Sequence, residues 1–356
     1  MALTITDILS AIAGCLDATT QAILAMSFGF AMIPSALAYA VGIVGCLAFN
    51  SVVPISFQAE TITLGGTIGR NKQERVSIIF LGGLIMTMIG ALGLLQTVVD
   101  FAGEDVICAM MSGVGIILAK AAMDLVKENV RLGTISMIVA ILVYAMTMDL
   151  VYTIVAGVVV TSLVACFLKE KVEVGNVNES KFKLQKLTMN FTVLRGALSV
   201  ICLTIGGNIA YGGITADIAG TTANADHISI YSGVADCVSS IFGGSPVSVI
   251  ISATAATPNP KWAAILLMGI MMVILLAGVL PKIAKFVPVQ AIAGTLFVLG
   301  VFVTVPENAL LAFSGNDPLG TLSCGTTLAV TAVTDPFFGI LAGIAVKLLA
   351  VPFGMV

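Results

Sequence analysis

Apolar runs of bilayer-spanning length follow one another along almost the whole chain, separated by turns of a few residues. A helix needs about 20 apolar residues to cross the hydrocarbon core. With 58% hydrophobic and 10% charged residues and a mean hydropathy of +1.11, the chain reads as an all-α polytopic protein of a cell membrane, inner or plasma, and not as a string of soluble domains. Met1 to Asp17 carries two acids and no basic residue, so the first span is expected to act as its own insertion signal.

Spans are expected at 18–34, 36–50, 76–99, 105–125, 133–148 and 150–168, with a broken element at 55–68. The second half gives 193–210, 228–243, a broken element at 246–257, then 261–280, 288–304, 318–334 and 336–352. Each half holds seven elements, the third of which is interrupted. An odd number turns the second copy upside down, so the expected organisation is one repeat at 1–168, a polar linker at 169–187 rich in Lys and Glu, and an inverted repeat at 188–356. Glycine doublets such as Gly82-Gly83, Gly206-Gly207 and Gly243-Gly244 fall near span ends, where small residues let helices approach closely.

The interrupted elements carry the functional expectation. Pro54-Ile55-Ser56-Phe57-Gln58-Ala59-Glu60-Thr61 and Ser245-Pro246-Val247-Ser248-Val249-Ile250-Ile251-Ser252-Ala253-Thr254 place Pro, Ser and Thr in a similar order in the two halves. A broken segment at corresponding places in two repeats is the usual pointer to the site of a secondary transporter. Its backbone groups cannot all pair internally, so it must line a protein-enclosed cavity. Half-helix N-termini there offer positive partial charge and free N–H groups. Ser56, Ser248, Ser252 and Thr254 add hydroxyls, and Phe57, Ser245 and Val247 lie on the same segments as candidate substrate contacts.

Glu60 is the candidate for coupling, because a carboxylate inside a broken intramembrane helix faces a cavity or a partner, the alternative being a helix end at the membrane surface. Asn208 follows Gly206-Gly207 and is either a substrate contact or a packing amide. Asp217, Asp226 and Asp236 are expected in a solvated turn, His227 in a loop, and Asp149 and Asp335 at span boundaries. Seven cysteines without a CxxC pair and one histidine offer no metal site, and no cofactor is expected. The chain has neither a His pair nor a carboxylate dyad at helical spacing, so an enzyme is not expected.

Tyr231-Ser232-Gly233, Val238-Ser239-Ser240-Ile241-Phe242-Gly243-Gly244-Ser245-Pro246 and Pro288-Val289-Gln290-Ala291-Ile292-Ala293-Gly294 resemble the xanthine/uracil permeases, the second nucleobase/cation symporter family, which includes an adenine/guanine/hypoxanthine branch. The resemblance implies fourteen elements in two inverted sevens. Elements one to four and eight to eleven would form a core domain, the remainder a gate domain, and substrate would lie between elements three and ten. It also implies a homodimer and a nucleobase substrate such as xanthine, uracil, guanine or adenine, coupled to H+ or Na+, in a lipid bilayer and without nucleic acid. Where that family usually places two acids, this chain has Asn208 and Ser252, leaving Glu60 to supply a carboxylate from the opposite half. The alternative is an inverted-repeat anion transporter of the sulfate/bicarbonate type, or an uncoupled facilitator. Orientation stays open: basic loops after elements three, five, seven and eleven put the N-terminus outside, whereas the resemblance implies it inside.

Overall fold

The computed structural model describes residues 3–170, 182–315 and 318–350. Most of the expected polar linker, including Lys171, Glu173, Glu179 and Lys181, therefore lies outside the described residues. The chain runs through α1 (Ile5–Ser27), α2 (Met32–Ala48), β1 (Ile55–Ser56), α3 (Ala59–Ile68), α4 (Lys72–Ala91), α5 (Leu95–Ala102), α6 (Glu104–Glu128), α7 (Val130–Thr147), α8 (Leu150–Phe167), α9 (Phe191–Ile218) and α10 (Ala225–Ser240). It continues through β2 (Ser248–Val249), a 3-10 turn at Ala253–Ala256, α11 (Pro260–Leu276), α12 (Leu280–Ile283), α13 (Ala293–Val298), a π-helical stretch at Leu299–Thr304, α14 (Val305–Ala312), α15 (Pro318–Val333) and α16 (Pro336–Ala350). Among the described residues, seven helical stretches are long and apolar enough to cross a membrane, and the chain is a multi-pass membrane protein.

Polar residues at the helix starts explain why the elements begin where they do. Thr4 and Asp7 form a reciprocal capping box on α1, and Asn71, Asn129, Asp149, Asn190 and Asn224 cap α4, α7, α8, α9 and α10. Pro260 opens α11, where its missing N–H costs nothing. Several expected boundaries shift accordingly: the first span begins at Ile5, not 18, the fourth ends at Ala91, and α5 is a separate eight-residue helix.

Two groups of helices result. α1, α2, α4, α9, α10 and α11 pack on one another, while α6, α7, α8, α13, α14, α15 and α16 form a second set. Glycine sets the closest approaches in each. A Cβ at Gly83 of α4 would lie 2.6 Å from the Gly233 carbonyl of α10, and one at Gly115 of α6 would lie 2.8 Å from the Gly300 carbonyl. Helix pairs in an apolar solvent gain their association from this kind of backbone contact.

The interrupted segments meet. β1 pairs antiparallel with β2, Ile55 opposite Val249 and Ser56 opposite Ser248. The break at Gly243-Gly244 has a local cause: Gly243 adopts φ +84°, its carbonyl accepts from Ala31 N at 2.8 Å, and a Cβ on Gly244 would collide with Ser239 Oγ at 2.3 Å. The two segments are not alike beyond the strand. The first continues as the ten-residue α3, whereas the second makes only one 3-10 turn before Pro258, which cannot extend a helix.

Ion pairs and hydrogen bonds between elements fix two faces. Asp7 accepts from Asn259 Nδ2 at 2.9 Å, and Lys347 bonds Asp105, which groups the starts of α1, α6 and α11 with the end of α16; this face is here termed upper. Arg195 bonds Asp335 on the opposite, lower face. Among the described residues, Lys261 and Lys347 are the only basic side chains of the upper face; Arg70, Lys72, Arg75, Lys127, Arg131, Lys183, Lys186, Lys282 and Lys285 belong to turns of the lower.

Two expectations about polar residues are revised. Asp236 is not a solvated turn residue: it is 4% exposed within α10 and accepts from Val247 N at 2.8 Å, holding the entry to β2. His227 lies in the first turn of α10, its ring stacked on Phe49 with centroids 4.4 Å apart.

Candidate substrate site

A cavity of about 210 Å³ lies where α1, the start of α3, the segment after β2 and the 292–307 stretch converge. Its position follows from the broken segments: β1 ends at Ser56, so α3 begins inside the protein with its N-terminus facing the cavity, and Glu60 occupies its first turn. Glu60 is 3% exposed. Asp17 and Gln21 come from one face of α1, Gln21 Nε2 donating to both Asp17 oxygens at 2.9 and 3.0 Å. Glu307, from the first turn of α14, is the third carboxylate. Among the described residues Lys and Arg are absent from the lining, which otherwise takes polar groups from Thr20, Gln58, Tyr211, Ser252, Thr295 and Thr304.

Two polar atoms of the lining have no partner. Gln21 Oε1 and Thr295 Oγ1 are buried without a hydrogen bond. Because a buried polar group without a partner costs about 1–3 kcal/mol, these atoms mark the cavity as a place where a ligand or water completes the bonding.

Of the residues singled out from sequence, Glu60 and Ser252 line this cavity. Ser252 also caps the 3-10 turn and shares a hydrogen bond with Thr254 at 2.8 Å. The remainder lie outside its lining. Ser56 Oγ pairs with Tyr39 Oη at 3.0 Å, and Phe57 stacks edge-on against Tyr39 with centroids 5.4 Å apart. Ser248 shares a 2.9 Å bond with Thr61 across the two segments. Ser245 N donates to Ser35 Oγ, Val247 N donates to Asp236, and Asn208 Nδ2 donates to Ser229 Oγ at 2.9 Å while its Oδ1 is left without a partner. Asp17, Gln21, Tyr211, Thr295 and Glu307 were missed by sequence reasoning. The i, i+4 spacing of Asp17 and Gln21 in an apolar stretch was the one available signal.

Neither a family model nor a curated protein matches the chain. Its fold is shared with solved membrane transporters. The transmembrane domain of a cyanobacterium bicarbonate transporter, BicA, superposes with TM-score 0.69 at 14% identity, over 96% of this chain and 97% of that one. The murine Solute Carrier 26 family member A9 anion transporter in the inward-facing state gives TM-score 0.71 at 14% identity, over 98% of this chain and 68% of that one. At this identity the likeness is one of fold.

These structures correct the expected membership of the xanthine/uracil permeases: the folds that match are those of anion transporters, and no permease family model matches. The fragments behind the expectation, Gly243-Gly244-Ser245-Pro246 and Ala291 to Gly294, are positions where this architecture needs a strand break or a close helix contact. A Cβ on Gly294 would lie 2.2 Å from the Ser136 carbonyl. Small residues at such places reflect backbone geometry and do not report a substrate.

Proposed function

We propose that this chain is a secondary transporter of small inorganic anions of the bicarbonate or sulfate kind, working by alternating access. The observation that carries the reading is the pair of interrupted segments, joined through β1 and β2 and walling a cavity with unpartnered polar atoms, within a fold shared with anion transporters. The set containing α1, α2, α4, α9, α10 and α11 acts as the core domain with the paired segments, and the set built on α6 to α8 and α13 to α16 acts as the gate. The two sevens are inverted repeats: α3 runs from the cavity to the lower face, and residues 250–257 run from the cavity to the upper.

Charge dictates coupling. Three carboxylates around about 210 Å³ repel a bare anion, since two unit charges 5 Å apart at an effective dielectric of 20 cost about 3 kcal/mol. The anion therefore travels with protons or a cation that neutralise Asp17, Glu60 or Glu307. Proteoliposomes holding the purified chain are expected to accumulate labelled bicarbonate or sulfate when a proton or sodium gradient is imposed, with saturation and counterflow. Absence of uptake of both anions under either gradient would refute the reading.

The basic lower face is proposed to be cytoplasmic, following the positive-inside bias, so the N-terminus and the cavity mouth near Leu150 and Glu307 face outward. A cysteine placed at Asp100, on an otherwise cysteine-free background, is expected to react with an impermeant maleimide in intact cells. One placed at Lys282 is expected to react only after permeabilisation. The opposite pattern reverses the orientation.

A further inference from the structure

A second chamber, of about 550 Å³, opens on the lower face between α3, α6, α9 and α15, at the seam between the two helix sets; its inner wall reaches Thr63, one turn of α3 beyond Glu60 of the first cavity. Its charge is the reverse of the first. Arg70, Lys120 and Arg195 line it against one carboxylate, Asp124, which is already paired with Lys127 at 2.8 Å. Asp335 engages Arg195 through Nε, and the two Nη groups of that guanidinium make no hydrogen bond among the described residues. Thr63, on the inner wall, is fully buried and its hydroxyl has no partner. A buried hydroxyl without a partner in a chamber that two guanidinium groups and an ammonium also line suits an acceptor-rich ligand, which is what an oxyanion supplies: Arg offers paired N–H donors and Lys a point charge.

We infer that this chamber is a binding site for a small inorganic oxyanion, held by Arg70, Lys120 and the free edge of Arg195 with Thr63 donating from within. If the proposed carrier function holds, the site loads or receives the transported anion on the lower side before it meets the carboxylates of the inner cavity. The binding site itself does not depend on that role.

Equilibrium binding of labelled inorganic sulfate to the full chain in nanodiscs, at fixed ionic strength with chloride as the balancing ion, tests it. Removing two charge-assisted contacts in Arg70→Gln/Lys120→Gln is expected to weaken binding by about tenfold or more, and Thr63→Val by about threefold. The same-face control Lys282→Gln/Lys285→Gln leaves binding unchanged. The single variants Arg70→Gln and Lys120→Gln, with melting curves, separate loss of binding from loss of fold. The inference is overturned if the wild-type chain does not bind sulfate, if the double variant binds as the wild type does, or if the control weakens binding equally, which would make the effect one of general surface charge. Binding that persists in a preparation that transports nothing would reject the carrier reading and leave this site standing.

Discussion

A Glu60→Gln carrier is expected to lose accumulation driven by a proton or sodium gradient while keeping counterflow exchange of the anion. Glu60 is 3% exposed and shares a cavity lined by Asp17 and Glu307 but, among the described residues, by no Lys or Arg. Each ionised carboxylate there raises the free energy of a bound anion by about 3 kcal/mol at 5 Å and an effective dielectric of 20, so under the proposed function entry of the anion requires entry of a positive charge. Fixing position 60 as a neutral amide removes that requirement. Anion affinity at alkaline pH should then rise by about one to two orders of magnitude, and steady-state accumulation under a gradient should fall at least tenfold. Paired measurements of gradient-driven uptake and counterflow across pH give the answer. Retention of the wild-type accumulation ratio and pH profile would make Glu60 a structural residue.

Loss of Asp335 is expected to have the largest effect on stability. Asp335 has no exposed surface and accepts from Arg195 Nε at 2.5 Å, from Ser199 Oγ at 2.8 Å and from Phe338 N at 3.1 Å. One side chain thus fastens α9 to the start of α16, while the Arg195 guanidinium sits 5.1 Å from the centre of the Phe338 ring. Asp335→Ala leaves a partly buried cation, a hydroxyl and the first turn of α16 without their acceptor, a loss of about 3 kcal/mol, the low end of the range for broken buried pairs because Arg195 retains 35% side-chain exposure. The comparison is Lys347→Ala, which breaks the pair with Asp105, where both side chains are about a third exposed; under about 1 kcal/mol is expected. Melting curves in one detergent should rank Asp335→Ala several degrees below Lys347→Ala. Equal melting temperatures would show that the Arg195–Asp335 contact is not a stability determinant.

The parts of the architecture legible in the sequence were those in which backbone geometry demands particular residues. Pro54, the Gly243-Gly244 doublet and Pro258 break helices, so the interrupted segments could be located, and the polar residues between spans set the caps. Buried charge was harder to place. Asp17 stands just before the span expected at 18–34 and so reads as lying outside it, and only the fold shows that α1 begins at Ile5 and carries it inward. Asp236 has the same ambiguity: nothing local distinguishes a solvated carboxylate from one that accepts a backbone N–H eleven residues on. Glu307 follows Pro306, which marks a turn by composition, yet the π-helical stretch before it carries the helix through the proline and delivers the side chain to the cavity. The resemblance to the permeases misleads for a related reason, since Gly244 and Gly294 stand where a Cβ would strike a neighbouring chain segment and so report backbone geometry, not substrate.

The contact between β1 and β2 joins main chains nearly two hundred positions apart in the sequence, with Thr61 and Ser248 adding a side-chain link beside it. These are amide-to-carbonyl bonds in a dry interior, so parting them would strand donors and acceptors that lipid cannot satisfy. The floor of the pocket must then travel as one rigid plate. If the chain works as the proposed carrier, the movement that exposes a solute to the opposite compartment is a slip along the seam facing α6, α8 and the 292–307 stretch, with the ladder itself kept whole throughout the cycle.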